Sequence, residues 1–164
     1  FGGLQDKARE LRVNDWIDGD GKPMAKPVRL SDLGSGYKVI FCFQDWCPGC
    51  HSRGFPTLKF LHETLKDKGV GFAVIQTVFE GSEVNTFDKL RLNQERYGLA
   101  LPFLQDLPAA GERYPTFMED YRSGGTPWFT IIDPEGNVVF ADFRLDARRF
   151  LAALGADDAD LSVA

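Results

Sequence analysis

The chain has 164 residues, 43% of them hydrophobic and 26% charged, with a formal charge of -5. That suits one soluble globular domain with a sizeable core, and the acidic balance argues against nucleic acid as the main partner. No apolar run approaches the ~18 residues of a membrane span, and three cysteines, two in one motif, are too few for a disulfide scaffold.

Residues 1–11 pattern as a short amphipathic helix, with Leu4, Ala8 and Leu11 on one face, or as a disordered lead-in. Phe1-Gly2-Gly3-Leu4 has neither the charged start nor the apolar stretch of a secretory leader. A chain that begins with Phe keeps two locations open: cytoplasmic, or periplasmic or otherwise extracytoplasmic after a leader is removed. Residues 14–17 predict a short strand. The run 18–23 is dense in turn residues, and without a Glu at the twelfth position it does not make a calcium loop. Residues 28–30 are expected to pair back as an edge hairpin, and 31–34 to turn into the next element.

Residues 39–43 are an uninterrupted apolar run, the pattern of a fully buried strand. Gln44, Asp45 and Trp46 follow, then Cys47-Pro48-Gly49-Cys50-His51. Pro48 suits the first position of a helix, which puts Cys47 at the N-cap, facing the positive end of the helix dipole. A Cys so placed in a C-x-x-C has its pKa lowered, to somewhere around 3.5–7.5, so Cys47 is expected as the exposed thiolate and Cys50 as the buried resolving thiol. Gly49 between them adds no side chain to block a substrate. Half a zinc site is the alternative. Zinc takes about four ligands, and the remaining candidates, Cys42 in the strand and His51 and His62 on the helix, are poor ones. No metal is expected, and no cofactor beyond the redox-active pair.

The helix runs to about residue 66, with Phe55, Leu58, Leu61 and Leu65 as its buried face and a kink expected at Pro56. Gly69 stops it and 70–79 read as the next strand. Strand, helix and strand make a right-handed βαβ unit with parallel strands. In such sheets the chemistry sits beyond the carboxyl ends of the strands, where Cys47 lies. A second helix is expected over 83–97, with Phe87, Leu90 and Tyr97 inward. A short strand follows at 101–104, placed by its Pro at an edge or a strand start. A short helix comes at 116–121. Gly124-Gly125-Thr126-Pro127 opens a strand reaching Ile132, and the turn 133–137 returns 138–143 antiparallel to it. Asp146 N-caps a last helix carrying Phe150, Leu151 and Leu154 inward, with Gly155 at its end. The units are a lead-in (1–13), one domain (14–155) and an acidic tail (156–164).

This order, with Trp46-Cys47-Pro48-Gly49-Cys50 at the first helix and Thr126-Pro127 opening a later strand, resembles the thioredoxin fold. The N-terminal extension and the helix–strand unit near 83–104 make it similar to TlpA/ResA-type thiol-disulfide oxidoreductases of the redoxin group. The resemblance implies an α/β domain, a central mixed sheet flanked by helices. It implies a cis Thr126–Pro127 peptide against the Cys pair. It also implies that Trp46, Pro48, Gly49, Thr126 and Pro127 bind the substrate.

The chain departs from those relatives at two places. Thioredoxins carry an Asp where Phe41 stands, and many TlpA-like proteins a Glu where Gly54 stands, with one residue fewer between the second Cys and the Pro matching Pro56. Both usual proton acceptors for Cys50 are missing, and Glu80, Asp45 and His51 are the candidate modulators. The expected activity is thiol-disulfide exchange with protein or small-molecule disulfides, electrons coming from a dithiol partner, by a monomer. A peroxiredoxin-like peroxidase would need a Thr or Ser where Gln44 stands and a Pro where Ile40 stands. A copper-binding assembly factor would need a His far downstream, and none follows His62.

Overall fold

The structure is a computed structural model describing residues 6–155. Its strands are β1 (Asp6–Lys7), β2 (Asp15–Ile17), β3 (Pro23–Met24), β4 (Lys38–Phe43), β5 (Gly71–Thr77), β6 (Phe103–Asp106), β7 (Trp128–Ile132) and β8 (Asn137–Asp142). Its α-helices are α1 (Phe55–Leu65), α2 (Asp88–Tyr97), α3 (Thr116–Tyr121) and α4 (Ala147–Ala153). The strands form one mixed sheet in the order β1-β8-β7-β4-β5-β6-β2-β3.

The central position of β4 follows from its sequence. All six of its side chains are buried, as expected of a strand covered on both faces. It runs parallel to β5 and antiparallel to β7. Alternation sends Val39, Phe41 and Phe43 to one face, where they meet Leu58, Leu61 and Leu65 of α1 and Phe150 and Leu151 of α4. Ile40 and Cys42 go to the other face, with Leu11, Val28 and Phe117.

Four expectations are corrected. Asp6 and Lys7 pair with Val138 and Asn137, so that part of the lead-in is an edge strand and not a helix; Leu4 lies outside the described residues. The partner of β2 is Pro23–Met24, while Leu30 already belongs to a 3-10 turn (Leu30–Leu33). The second helix starts at Asp88, five residues late, because 81–85 turn back on Gly81, whose carbonyl takes the Val84 and Asn85 amides at 3.1 and 3.0 Å. Phe87, expected inward, is left exposed at its start. Of the two places expected for Pro102, the strand start is the one found: it directly precedes β6, which lies between β5 and β2.

The kink expected at Pro56 takes a specific form. Residues Cys50–Gly54 make a π turn, with the Phe55 amide donating to the Cys50 carbonyl, and Pro56 sits in the first turn of α1. Pro cannot donate to the ladder and clashes with the carbonyl four residues back, which a wider turn relieves. A π turn also absorbs one additional residue, the same length by which the Cys50–Pro56 spacing exceeds the TlpA-like pattern.

Candidate active site

The carboxyl end of β4 leads into the motif through a bend closed by the Cys47 amide on the Gln44 carbonyl (3.1 Å). Helix begins at Pro48. The Cys47 sulfur then takes the place of an N-cap oxygen, accepting the Cys50 amide at 3.3 Å. Expected exposed, Cys47 keeps only 6% of its surface, and Cys50 keeps none. Both are free thiols, as is Cys42. Burial pushes the Cys50 thiol well up, and the neighbouring Cys47 adds to it; the Gln44 backbone and the Thr126 side chain oppose the shift without cancelling it. Burial raises Cys42 as well, as a core thiol should be.

A stability effect follows with a definite sign. A group whose pKa is higher folded than unfolded contributes stability that is present below the unfolded pKa and lost as pH rises above it. With Cys42 and Cys50 both raised, the dithiol protein is expected to lose about 1.4 kcal/mol per thiol per pH unit above roughly pH 8.5. Urea unfolding at pH 7.5 and 10, repeated on Cys42→Ala, checks this; equal alkaline losses in the two proteins would remove Cys42 from the account.

The Thr126–Pro127 peptide is cis, and Pro127 is buried against the helix start. A Cβ on Gly49 would lie 3.4 Å from Pro127 Cδ, and one on Gly54 3.1 Å from Pro127 Cβ. Trp46 and Pro48 are exposed beside the pair. Glycine is needed at Gly125, with φ +144°, where the Phe143 ring lies 3.2 Å from the Cβ position.

Asp45 and His51 belong to one network that the sequence reading did not assemble. His51 Nε2 donates to the Asp45 carbonyl (2.6 Å), since a carbonyl only accepts, and its Nδ1 takes the Tyr97 hydroxyl. Its ring lies near-parallel to Phe55 and Tyr97, 5.7 and 5.8 Å from their centroids, and those two rings stack on each other at 4.1 Å. The Asp45 carboxylate accepts from Lys89 Nζ and Asn93 Nδ2, each at 2.9 Å. Partial burial opposes its charge, but these two donors outweigh it and hold the carboxyl below the usual range. Asn85 accepts the Asp45 amide (2.7 Å) and donates to the Gln44 side chain (3.2 Å). Asn85, Lys89, Asn93 and Tyr97 all come from α2 and its approach, so the inserted unit clamps the loop in front of Cys47. The i, i+4 spacing of Lys89 and Asn93 was the one available signal. Glu80 is exposed, and it is its backbone carbonyl that enters this network, accepting from Asn85.

His51→Phe keeps a ring in the stack and deletes both hydrogen bonds, leaving a carbonyl and a hydroxyl without their partner. A loss of about 1–3 kcal/mol in stability is expected, together with faster alkylation of Cys47 as the loop loosens and exposes its sulfur. Unchanged stability with unchanged alkylation would reduce His51 to a surface residue.

Comparisons with known proteins bear on the fold and the family. Over 93% of its length the chain superposes on the thioredoxin-like superfamily protein SPOA0173, of which 97% is covered, at 28% identity and a TM-score of 0.77. A thiol-disulfide isomerase from Corynebacterium glutamicum matches 93% of the chain over 96% of its own, at 27% identity and a TM-score of 0.76. A thio-disulfide isomerase from Thermus thermophilus, at 24% identity and a TM-score of 0.64, covers 97% of the chain and 99% of its own and shows the fold alone. No curated protein is similar enough in sequence to count as a relative. Residues 4–141 match the AhpC/TSA family. With its thioredoxin-like sheet and its cysteine pair at the end of β4, the chain belongs to the AhpC/TSA family and is a redoxin of thioredoxin fold.

Proposed function

We propose that this redoxin is a thiol-disulfide oxidoreductase using Cys47 and Cys50, acting on protein or small-molecule disulfides. The observation that carries the reading is the Cys47 sulfur, capping the helix by accepting the Cys50 amide, with the second thiol buried behind it. The thiolate of Cys47 attacks one sulfur of the partner's disulfide and the other sulfur leaves as a thiol. Cys50 then attacks Cys47 of the mixed disulfide, releasing the second thiol and closing a Cys47–Cys50 bond. Two electrons pass from the pair to the partner, and no cofactor is required. A separate dithiol restores the reduced form, and the reverse sequence oxidises a partner dithiol. Thr126, Pro127, Trp46, Pro48 and Gly49 border the attacked sulfur and bind the substrate.

A peroxidase of the peroxiredoxin class is the competing reading for a redoxin. Gln44 and Ile40, where that chemistry would place a hydroxyl and a proline, are both fully buried, which weighs against it.

Trapping separates them. Cys50→Ser is expected to accumulate a mixed disulfide with a disulfide substrate, and Cys47→Ser is not. Fast turnover of hydrogen peroxide with dithiothreitol, coupled to failure to trap any disulfide, would overturn the proposal in favour of the peroxidase.

A further inference from the structure

Beside Pro127 lies a cavity of about 340 Å³, within the range of small-ligand sites. Pro127, Phe129 and Phe143 supply apolar wall, and Arg53 and Arg144 supply the charge. No carboxylate lines it. Neither arginine has a hydrogen-bond or ion-pair partner among the described residues, whereas Arg12, Lys59, Lys89 and Arg91 are each paired with an acid.

Two of the lining residues approach the cysteine motif. A guanidinium nitrogen of Arg53 lies 3.6 Å from the Cβ position of Gly49, and Pro127 Cδ lies 3.4 Å from the same point. A ligand whose sulfur meets Cys47 would therefore carry its next few atoms past Gly49 and Pro127 toward Arg53, in the cavity that Arg144 also lines. A guanidinium is a planar fork that fits a carboxylate with two parallel hydrogen bonds. Both arginines are exposed, so the pair they offer is open to solvent and sensitive to salt.

We propose that this cavity binds a free carboxylate on the substrate, so that the protein prefers small peptide-like disulfides bearing a carboxylate close to the sulfur. The proposal rests on the thiol-disulfide reading above and names its substrate class. The reaction balances as written there: protein dithiol and substrate disulfide give protein disulfide and two substrate thiols.

The test uses two disulfides that differ only in charge, those of N-acetylcysteine and of N-acetylcysteine amide. The rate at which each oxidises the dithiol protein is measured for the parent and for Arg53→Gln/Arg144→Gln. The readout is the ratio of the two rates, which cancels any effect of the substitutions on the Cys47 thiolate itself. The ratio, carboxylate over amide, is expected to fall about tenfold in the double variant. In the parent it is expected to fall as salt is raised toward 1 M, where the screening length shrinks to about 3 Å. A ratio unchanged by the substitutions, or a loss shared equally by both disulfides, overturns the cavity proposal and leaves the oxidoreductase reading standing. If neither disulfide oxidises the parent the cavity proposal falls, and the oxidoreductase reading falls with it only if Cys50→Ser also traps no protein disulfide.

Discussion

Lowering the pH from 8 to 6 is expected to slow the attack of Cys50 on the mixed disulfide about 100-fold. The nucleophile is the thiolate, and burial puts the Cys50 thiol well above its ordinary range. Below its pKa the thiolate fraction drops tenfold per pH unit, so the whole interval from 8 to 6 lies on the falling limb. Once Cys47 is tied up in the mixed disulfide its own upward push on Cys50 is gone, but burial, the larger cause, remains. A carboxylate beside Cys50 would flatten this profile by taking the proton, as general bases typically contribute about 10²–10⁴-fold. Phe41 and Gly54 stand where such carboxylates are found in the proteins this chain resembles. Glu80, the other candidate, keeps its side chain in solvent, so Glu80→Gln is expected to match the parent. Single-turnover release of the second thiol, followed by stopped flow across this range, makes the measurement. A rate independent of pH would show that a base serves Cys50 after all.

Gly54→Ala is expected to destabilise the protein, although the same change in an unencumbered helix stabilises by about 1 kcal/mol. A Cβ on Gly54 would lie 2.6 Å from Cζ of Phe41. That ring cannot yield easily: it is fully buried, edge-on to Phe55 at 5.0 Å and against Phe129 at 4.9 Å. Overpacking of this kind costs roughly 1–3 kcal/mol, enough to reverse the sign of the propensity gain. Phe41→Leu shortens the ring's reach and should relieve the clash. The double variant is then expected to be about 1–3 kcal/mol more stable than the sum of the single losses predicts. Urea unfolding of the four proteins closes the cycle, and additivity within about 0.5 kcal/mol would sink the idea. The clash also links the two departures from the family pattern. The Phe41 ring fills the notch that Gly54 leaves, so no side chain fits at Gly54 while Phe41 stays where it is.

How much of this was legible in the sequence depended on the range of the interactions. The buried strand, the Pro48 helix start and the Asp133–Asn137 turn are local features, and each was read close to its observed place. The start of α2 was misjudged because Asn85 is held by Gln44 and Glu80, residues with no periodic relation to it. His51 was visible as a neighbour of Cys50, but its partners Asp45 and Tyr97 lie on separate elements. The charge of the cavity was hidden for the same reason: Arg53 and Arg144 are far apart in the chain, and only the fold brings them to one cavity.

By itself, then, the amino-acid order determined where the central strands and most helices form, which pair of thiols sits at a helix N-terminus, and that the usual acids are missing. These follow from side-chain periodicity, capping and turn chemistry, all acting within a few residues. Tertiary structure alone decided that Cys47 is nearly buried, that the inserted helix clamps its loop, and that Phe41 and Gly54 exclude a side chain from each other's space. Those outcomes come from close packing and from polar groups seeking partners across the fold, and neither is encoded in any local stretch of the chain.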